Sequence, residues 1–185
     1  MRLFNGKNPD FDALAKRLKK GDTKAGAALY EDLVDKVFGF CMNKVSNRTV
    51  AEDLTQDIFL KLVDRIETFN EKKGNFLVWF WQLARNTVTD HYRKKRETQF
   101  SDIDEGVIEN LPSSQSTSAN IENKIEVEKL NRLLGSLAPE DKELFELHFI
   151  SDLTYKDIAQ VLGRSEVALR VAVSRLKQKI KANLL

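Results

Sequence analysis

Residues 76–96 read FLVWFWQLARNTVTDHYRKKR, and this stretch constrains the fold more than any other. At 3.6 residues per turn, Phe76, Phe80, Leu83, Ala84 and Thr87 share one helix face, a normal core stripe. The opposite face carries Val78, Trp81, Arg85, Thr89, Tyr92, Arg93 and Arg96. Aromatics interleaved with arginines suit stacking on bases and pairing with phosphates. The helix ends in Arg93-Lys94-Lys95-Arg96, where cations complement the dipole at a helix C-terminus. The competing reading of the same residues puts Trp79 and Trp81 in the core and makes the basic run a solvated end. The rest of the chain has to decide between them.

Three prolines and eight glycines punctuate the chain, and helical periodicity is frequent, so the expected fold is all-α. Asp10–Lys20 reads as a short helix with Phe11, Leu14 and Leu18 on one side. Gly21 breaks it, and Thr23 is the expected N-cap of a long helix to Ser46, with Tyr30, Leu33, Val34, Val37, Cys41 and Val45 inside. Thr49–Phe69 follows, with Thr49 and Glu52 as a capping box and Val50, Leu54, Ile58, Leu62 and Ile66 buried. Its other side carries Asp53, Gln56, Asp57 and Asp64 around Leu60, an apolar anchor within a polar rim. Single exposed leucines are common, but these acidic residues share one orientation, which favours a protein-binding patch. The polar loop Asn70–Asn75 brings Lys72 and Lys73 to the start of the aromatic helix.

From Glu97 to Asn123 the chain contains no Lys or Arg and is rich in acid and serine, the composition of a linker. Periodicity returns with Ile121, Ile125, Leu130, Leu133, Leu134 and Leu137. Pro139 then suits the first turn of a helix carrying Leu144, Leu147 and Ile150. Next, Thr154 and Asp157 form a capping box, Ile158, Ala159 and Leu162 an apolar face, Gly163 a tight turn, and Ser165 a second cap. A short capped helix, a glycine turn and a second capped helix are the pattern of a helix-turn-helix. On the second helix, Leu169, Ala172, Val173, Leu176 and Ile180 face inward. Glu166, Val167, Arg170, Val171, Ser174, Lys177 and Lys181 face outward, as in a helix lying in a major groove.

Net charge is only +2, yet the basic residues cluster at 93–96 and 164–181, pointing to a polyanionic partner. Cys41 is the only cysteine, which excludes an internal disulfide and a cysteine-based zinc site. The start of the chain lacks the apolar core of a signal peptide, and no run approaches a membrane span. A cytoplasmic location without membrane insertion is expected. No metal, cofactor or catalytic group is assigned.

Taken together, these motifs resemble the extracytoplasmic-function group of bacterial sigma factors, the small two-domain promoter-specificity subunits of RNA polymerase. AEDLTQDIFLKL at 51–62 is similar to the family's polymerase-binding helix. The stretch at 76–96 is similar to its promoter-melting and −10 helix, including Trp79, Ala84-Arg85-Asn86 and Asp90. LTYKDIAQVLGRSEVALRVAVSRLKQKI at 153–180 is similar to its −35-binding helix-turn-helix. The resemblance implies two helical domains, 1–96 and 121–185, joined by an acidic linker at 97–120 that threads polymerase channels. It implies that Asp53, Gln56, Asp57 and Leu60 contact the clamp helices of the largest polymerase subunit, and that the second domain docks on the flap of the second-largest. Lys72, Lys73, Trp79, Trp81, Arg85, Asn86, Asp90, Tyr92 and Arg93 would hold the −10 strand. Arg164, Ser165, Glu166, Val167, Arg170, Val171, Ser174, Arg175 and Lys177 would meet the −35 element. An anti-sigma or recruiting factor is implied by the resemblance alone. The chain departs from the family at Val167, commonly a glycine, and at Val171-Ala172, commonly Ser-Arg. Leu77 and Val78 replace polar residues.

Two other function classes fit parts of the chain. A helix-turn-helix regulator acting without polymerase has no need of the aromatic-basic helix. A magnesium-dependent phosphodiesterase would use Glu52, Asp53 and Asp57, but Glu52 points away from the other two and no second acidic cluster completes a site.

Overall fold

The computed structural model describes residues 9–45, 47–101, 135–151 and 153–184, with the backbone alone at 95–101 and 183–184. It divides into two compact units, the break falling between Glu97 and Thr98. Every regular element among the described residues is helical.

The first unit contains α1 (Phe11–Lys19), α2 (Thr23–Val45), α3 (Arg48–Arg65) with a 3-10 turn at Ile66–Thr68, and α4 (Phe76–Ser101). Each start is capped by a side-chain carboxylate or amide. Asp10 accepts from the Ala13 N–H, and Asp22 from those of Lys24 and Ala25. Asn47 accepts from Val50, and Asn75 from Val78. Two expected caps are therefore displaced. Asp22 replaces Thr23, and Asn47 replaces Thr49; Glu52 closes no capping box and instead pairs with Arg48 one turn back, at 2.8 Å. In both cases Asp or Asn stands just ahead of the threonine and caps more strongly.

The core of this unit lies between α2, α3 and α4. Leu29, Leu33, Val37, Phe40 and Cys41 meet Leu54, Ile58 and Leu62, and all are buried. The expected stripe on α2 is partly corrected. Tyr30 is exposed, with its ring 4.7 Å from that of Phe59, while Val34 and Val45 are half-buried. An amphipathic ring can cover the edge of a core while its hydroxyl stays in water. On α3, Val50 is half-buried where burial was expected. Helix α1 crosses α2 closely at Gly26, where a Cβ would come within 3.1 Å of Leu18 Cδ1.

Helix α4 runs on to Ser101, past the expected start of the linker, because Glu97-Thr98-Gln99 holds no helix breaker. The linker beyond Ser101 and the periodic segment Ile121–Leu134 lie outside the described residues.

The second unit contains α5 (Pro139–Phe145), which passes into a π-helical turn at Glu146–Ile150, then α6 (Tyr155–Leu162) and α7 (Glu166–Leu184). Both Ser151 N–H and Ser151 Oγ–H donate to the Glu146 carbonyl, closing the π turn. The Thr154–Asp157 capping box forms as expected. Gly163 takes a left-handed φ of 65°, which a Cβ would disfavour, and Ser165 Oγ accepts from the Ala168 N–H to start α7. Leu144, Leu147, Ile158, Val161, Leu169, Val173 and Leu176 fill the core between them. Val161 takes the depth expected of Leu162, which is half-buried.

Candidate polymerase and nucleic-acid interfaces

Three surfaces carry the candidate residues. On α3, Leu60 is 66% exposed, with Asp53, Gln56 and Asp64 exposed around it. Val63 is also 56% exposed and extends the apolar anchor by one turn, a residue missed in the sequence although it lies i+3 from Leu60. Asp57 is not a free carboxylate. Lys61 Nζ lies 2.9 Å from its Oδ2 and reaches Thr87 Oγ1 on α4 at 3.4 Å, so the acidic face is linked to the aromatic helix. Glu52 and Asp57 are each paired with a cation of their own helix, an arrangement that favours a solvated face over a metal site. Among the described residues, no three His, Cys, Asp or Glu side chains converge as metal ligands.

The second surface is the 70–75 loop with α4. The core stripe of α4 is as expected: Phe76, Phe80, Leu83, Ala84 and Thr87 are buried. The opposite face is not. Trp81 is fully buried, edge-on to Phe40 of α2 at 5.4 Å, and Val78 is buried with it. Neither can meet DNA in this fold. The cause is tertiary: Phe59 of α3 and Phe69 beyond the 3-10 turn meet the expected stripe at Phe80 and Phe76, while Phe40 of α2 meets Trp81 on a further face. Three neighbours bury more than one face. The sector left in water runs through Gln82, Asn86, Thr89 and Arg93, about 60° round the helix from the expected one. Gln82 was missed for that reason.

Trp79 lies at the border of this sector. It is half-buried, with its ring 5.8 Å from those of Phe69 and Phe76. Arg85 is half-buried, and Asp90 pairs with Arg93 at 3.2 Å. Tyr92 is exposed, but its hydroxyl donates to the Lys44 carbonyl at 2.5 Å, tying α4 to the end of α2. Partial burial raises its pKa, which keeps it a donor. Lys72 and Lys73 are exposed, and neither ammonium forms an ion pair among the described residues.

The third surface is α7. Val167 (74%) and Val171 (47%) are exposed side by side with Arg170, Ser174, Arg175 and Lys177. Arg170 is held by Glu166 at 2.6 Å, and its guanidinium lies 4.9 Å from the centre of the Tyr155 ring. Arg164 pairs with Glu140 at 3.0 Å. Ser165 uses its oxygen as a cap. Arg164 and Arg170 are thus preset by intramolecular partners that a phosphate or a base edge would have to displace.

Behind Arg170, His148 stacks on Tyr155 at 4.9 Å, with Lys177 near. Burial, and then the Lys177 charge, lower its pKa below 6.5. The sign is that of a group held neutral by the fold: its contribution is present above about pH 6.5 and is lost as pH falls through the lower folded value. Melting of the full chain between pH 7.5 and 5 should therefore show acid destabilisation that His148→Gln reduces. Equal slopes for the two proteins would remove His148 as the cause.

Comparison with known proteins bears on the chain as a whole. Residues 29–98 match the family described as Sigma-70 region 2, and residues 128–180 match Sigma-70, region 4. The chain is 29% identical over 161 residues to the ECF RNA polymerase sigma factor BldN of Streptomyces coelicolor, covering 85% of this chain but 59% of that protein. It is 29% identical over 162 residues to the ECF RNA polymerase sigma factor RpoE of Cereibacter sphaeroides, covering 85% of this chain and 87% of that one. In fold it is similar to CnrH, solved with the cytosolic domain of CnrY, with a TM-score of 0.67, 20% identity and coverage of 95% and 97%. It is similar too to RpoE of Bartonella quintana, solved with the anti-sigma factor NepR, with a TM-score of 0.63, 23% identity and coverage of 85% and 95%. With α2, α3 and α4 inside the region 2 match and the helix-turn-helix inside the region 4 match, the chain belongs to the extracytoplasmic-function group of RNA polymerase sigma factors.

Proposed function

We propose that this protein binds core RNA polymerase, recognises promoters through −10 and −35 elements, and opens the DNA for transcription initiation. The observation that carries this reading is the coexistence of three separate exposed surfaces of matching chemistry. These are an apolar anchor in an acidic rim on α3, a polar and basic sector on α4 beside two lysines, and a helix-turn-helix whose second helix is basic outside. A helix-turn-helix regulator acting alone would need only the last.

Leu60 and Val63, with Asp53, Gln56 and Asp57, would dock on the clamp helices of the largest subunit. Trp79, Gln82, Asn86 and Arg93, with Lys72 and Lys73, would hold the unpaired −10 strand. Opening then follows from differential binding: a flipped base is held better than a paired one, and stacking offsets an unstacking cost of a few kcal/mol. Arg85 and Asp90 flank that sector, and Tyr92 acts by holding the helix in place. Trp81, fully buried, takes no part in holding the strand. On α7, Arg170 would read a base edge, Val167 and Val171 would meet thymine methyls, and Arg164, Arg175 and Lys177 would meet phosphates. Residues 1–96 and 121–185 would be the two working domains, with 97–120 as their linker. The protein would act as a binding subunit rather than an enzyme, in the bacterial cytoplasm; among the described residues no helix is long and apolar enough to cross a membrane. The anti-sigma complex solved for the Bartonella relative makes a similar inhibitor a natural partner here.

The test is runoff transcription with purified core polymerase. Stimulated initiation at specific start sites is expected. Tight promoter binding by the protein alone, with no stimulation, would favour the regulator. Arg170→Ala should weaken −35-dependent binding by about 1–3 kcal/mol, unevenly across base substitutions. A uniform loss across all sequences would make Arg170 a phosphate contact.

A further inference from the structure

The promoter-binding reading assigns helix α1 no task, yet three of its polar side chains, Asp12, Lys16 and Lys19, turn to one place, while Arg17 pairs with Asp22. Asp12 Oδ1 accepts from the Phe76 N–H at 2.6 Å, across 64 residues of chain. That N–H is among the first of α4, which the helix itself cannot satisfy, and an anion there also suits the helix dipole. Lys19 Nζ donates to the Glu67 carbonyl at 2.8 Å and the Phe69 carbonyl at 3.2 Å. Lys16 pairs with Glu71. Between α1 and residues 67–71 lies an open cleft of about 330 Å³, lined on the α1 side by Lys16 and Lys19.

The segment so held is the one that leads into the proposed −10 surface. It has a single apolar anchor, Phe69, packed edge-on to Phe76 and tilted against Trp79. Lys72 and Lys73 follow it in exposed chain. Within the segment itself, Asn70 accepts from the Lys72 and Lys73 N–H groups and Asn75 caps α4, all of them local bonds. The three charge-assisted bonds made by Asp12 and Lys19 of α1 add to these local ties and join both ends of the segment to one helix. The exposed Lys16–Glu71 pair adds little.

We propose that Asp12 and Lys19 are positioning residues for promoter opening: α1 sets the 67–76 segment in the geometry that captures the −10 strand. They act through the loop and do not touch DNA. Lys19 is committed to two carbonyls, and Asp12 is an anion that a phosphate would avoid. A loop ordered before the strand arrives loses less conformational freedom on capture. This inference rests on the −10 reading given above.

The experiment uses the full chain with core polymerase, permanganate footprinting of opening, and a promoter pool randomised across the −10 element. Lys19→Met and Asp12→Ala should slow opening about tenfold and flatten base preference at −10. Polymerase affinity and −35-dependent binding should stay within about twofold. Lys19→Arg and Asp12→Asn, which keep a donor and an acceptor, should restore most of the opening rate. If opening and base preference are unchanged while Lys72→Ala/Lys73→Ala impairs opening, the role of α1 is overturned and the −10 reading stands. If the Lys72→Ala/Lys73→Ala protein also opens DNA normally, the −10 reading falls and takes this inference with it. A parallel loss of melting temperature, polymerase affinity and opening would make α1 a support of the fold only, and would also overturn it.

Discussion

Trp81→Ala will destabilise the first unit by about 3–5 kcal/mol, the cost of emptying a large buried site that cannot collapse. The ring is fully buried between Phe40 and Phe80, at 5.4 and 5.8 Å. Domain stabilities run about 5–15 kcal/mol, so much of the protein could be unfolded at 37 °C. Thermal or urea unfolding of the full chain reads this directly. Trp81→Phe makes the test specific. Among the described residues, buried Trp81 Nε1 has no hydrogen-bond partner, so phenylalanine removes a group that is costly to bury while leaving a smaller void. That variant should lose no more than about 1.5 kcal/mol and retain promoter opening. A stable Trp81→Ala protein that binds promoters but cannot open them would show instead that the indole meets DNA.

Leu60→Asp should do the opposite: leave folding intact and abolish most polymerase affinity. At 66% exposed, Leu60 contributes little to the core, and surface changes of this kind usually move stability by less than about 0.5 kcal/mol. Centred in its polar rim, it has the position of an interface hot spot, worth at least about 2 kcal/mol, or about thirtyfold in affinity. The added charge lies one turn from Asp57 and Asp64, which raises the cost of desolvating the patch. Val63→Asp should weaken binding as well. Binding of the purified protein to core polymerase, read beside a melting curve, checks both; unchanged affinity in each would move the interface elsewhere.

Much of the helical plan was legible in the residues. Phe76, Phe80, Leu83, Ala84 and Thr87 are buried as their spacing required, and the Thr154–Asp157 capping box and the Gly163 turn form where they were expected. Local rules suffice there, because caps and turns involve neighbours in sequence. Errors of one or two residues arose where two capping residues competed, at Asp22–Thr23 and Asn47–Thr49. The candidate surfaces were less legible. Leu60 was found because it is an apolar residue among acids, while Val63, next to the buried Leu62, was not singled out.

The sequence by itself determined that 76–96 is a helix, that its Phe76–Thr87 stripe is buried, and that a basic end follows. Only the tertiary structure decided what the other face does. Periodicity reports how many residues separate two side chains, not how many neighbours surround a helix. Phe59 and the turn residue Phe69 cover the expected stripe at Phe80 and Phe76, Phe40 of α2 covers Trp81 on a further face, Val78 is buried as well, and Gln82, Asn86, Thr89 and Arg93 stay in water. The bond from Asp12 to the first turn of α4 is of the same kind: it joins residues 64 apart, and no local pattern encodes it.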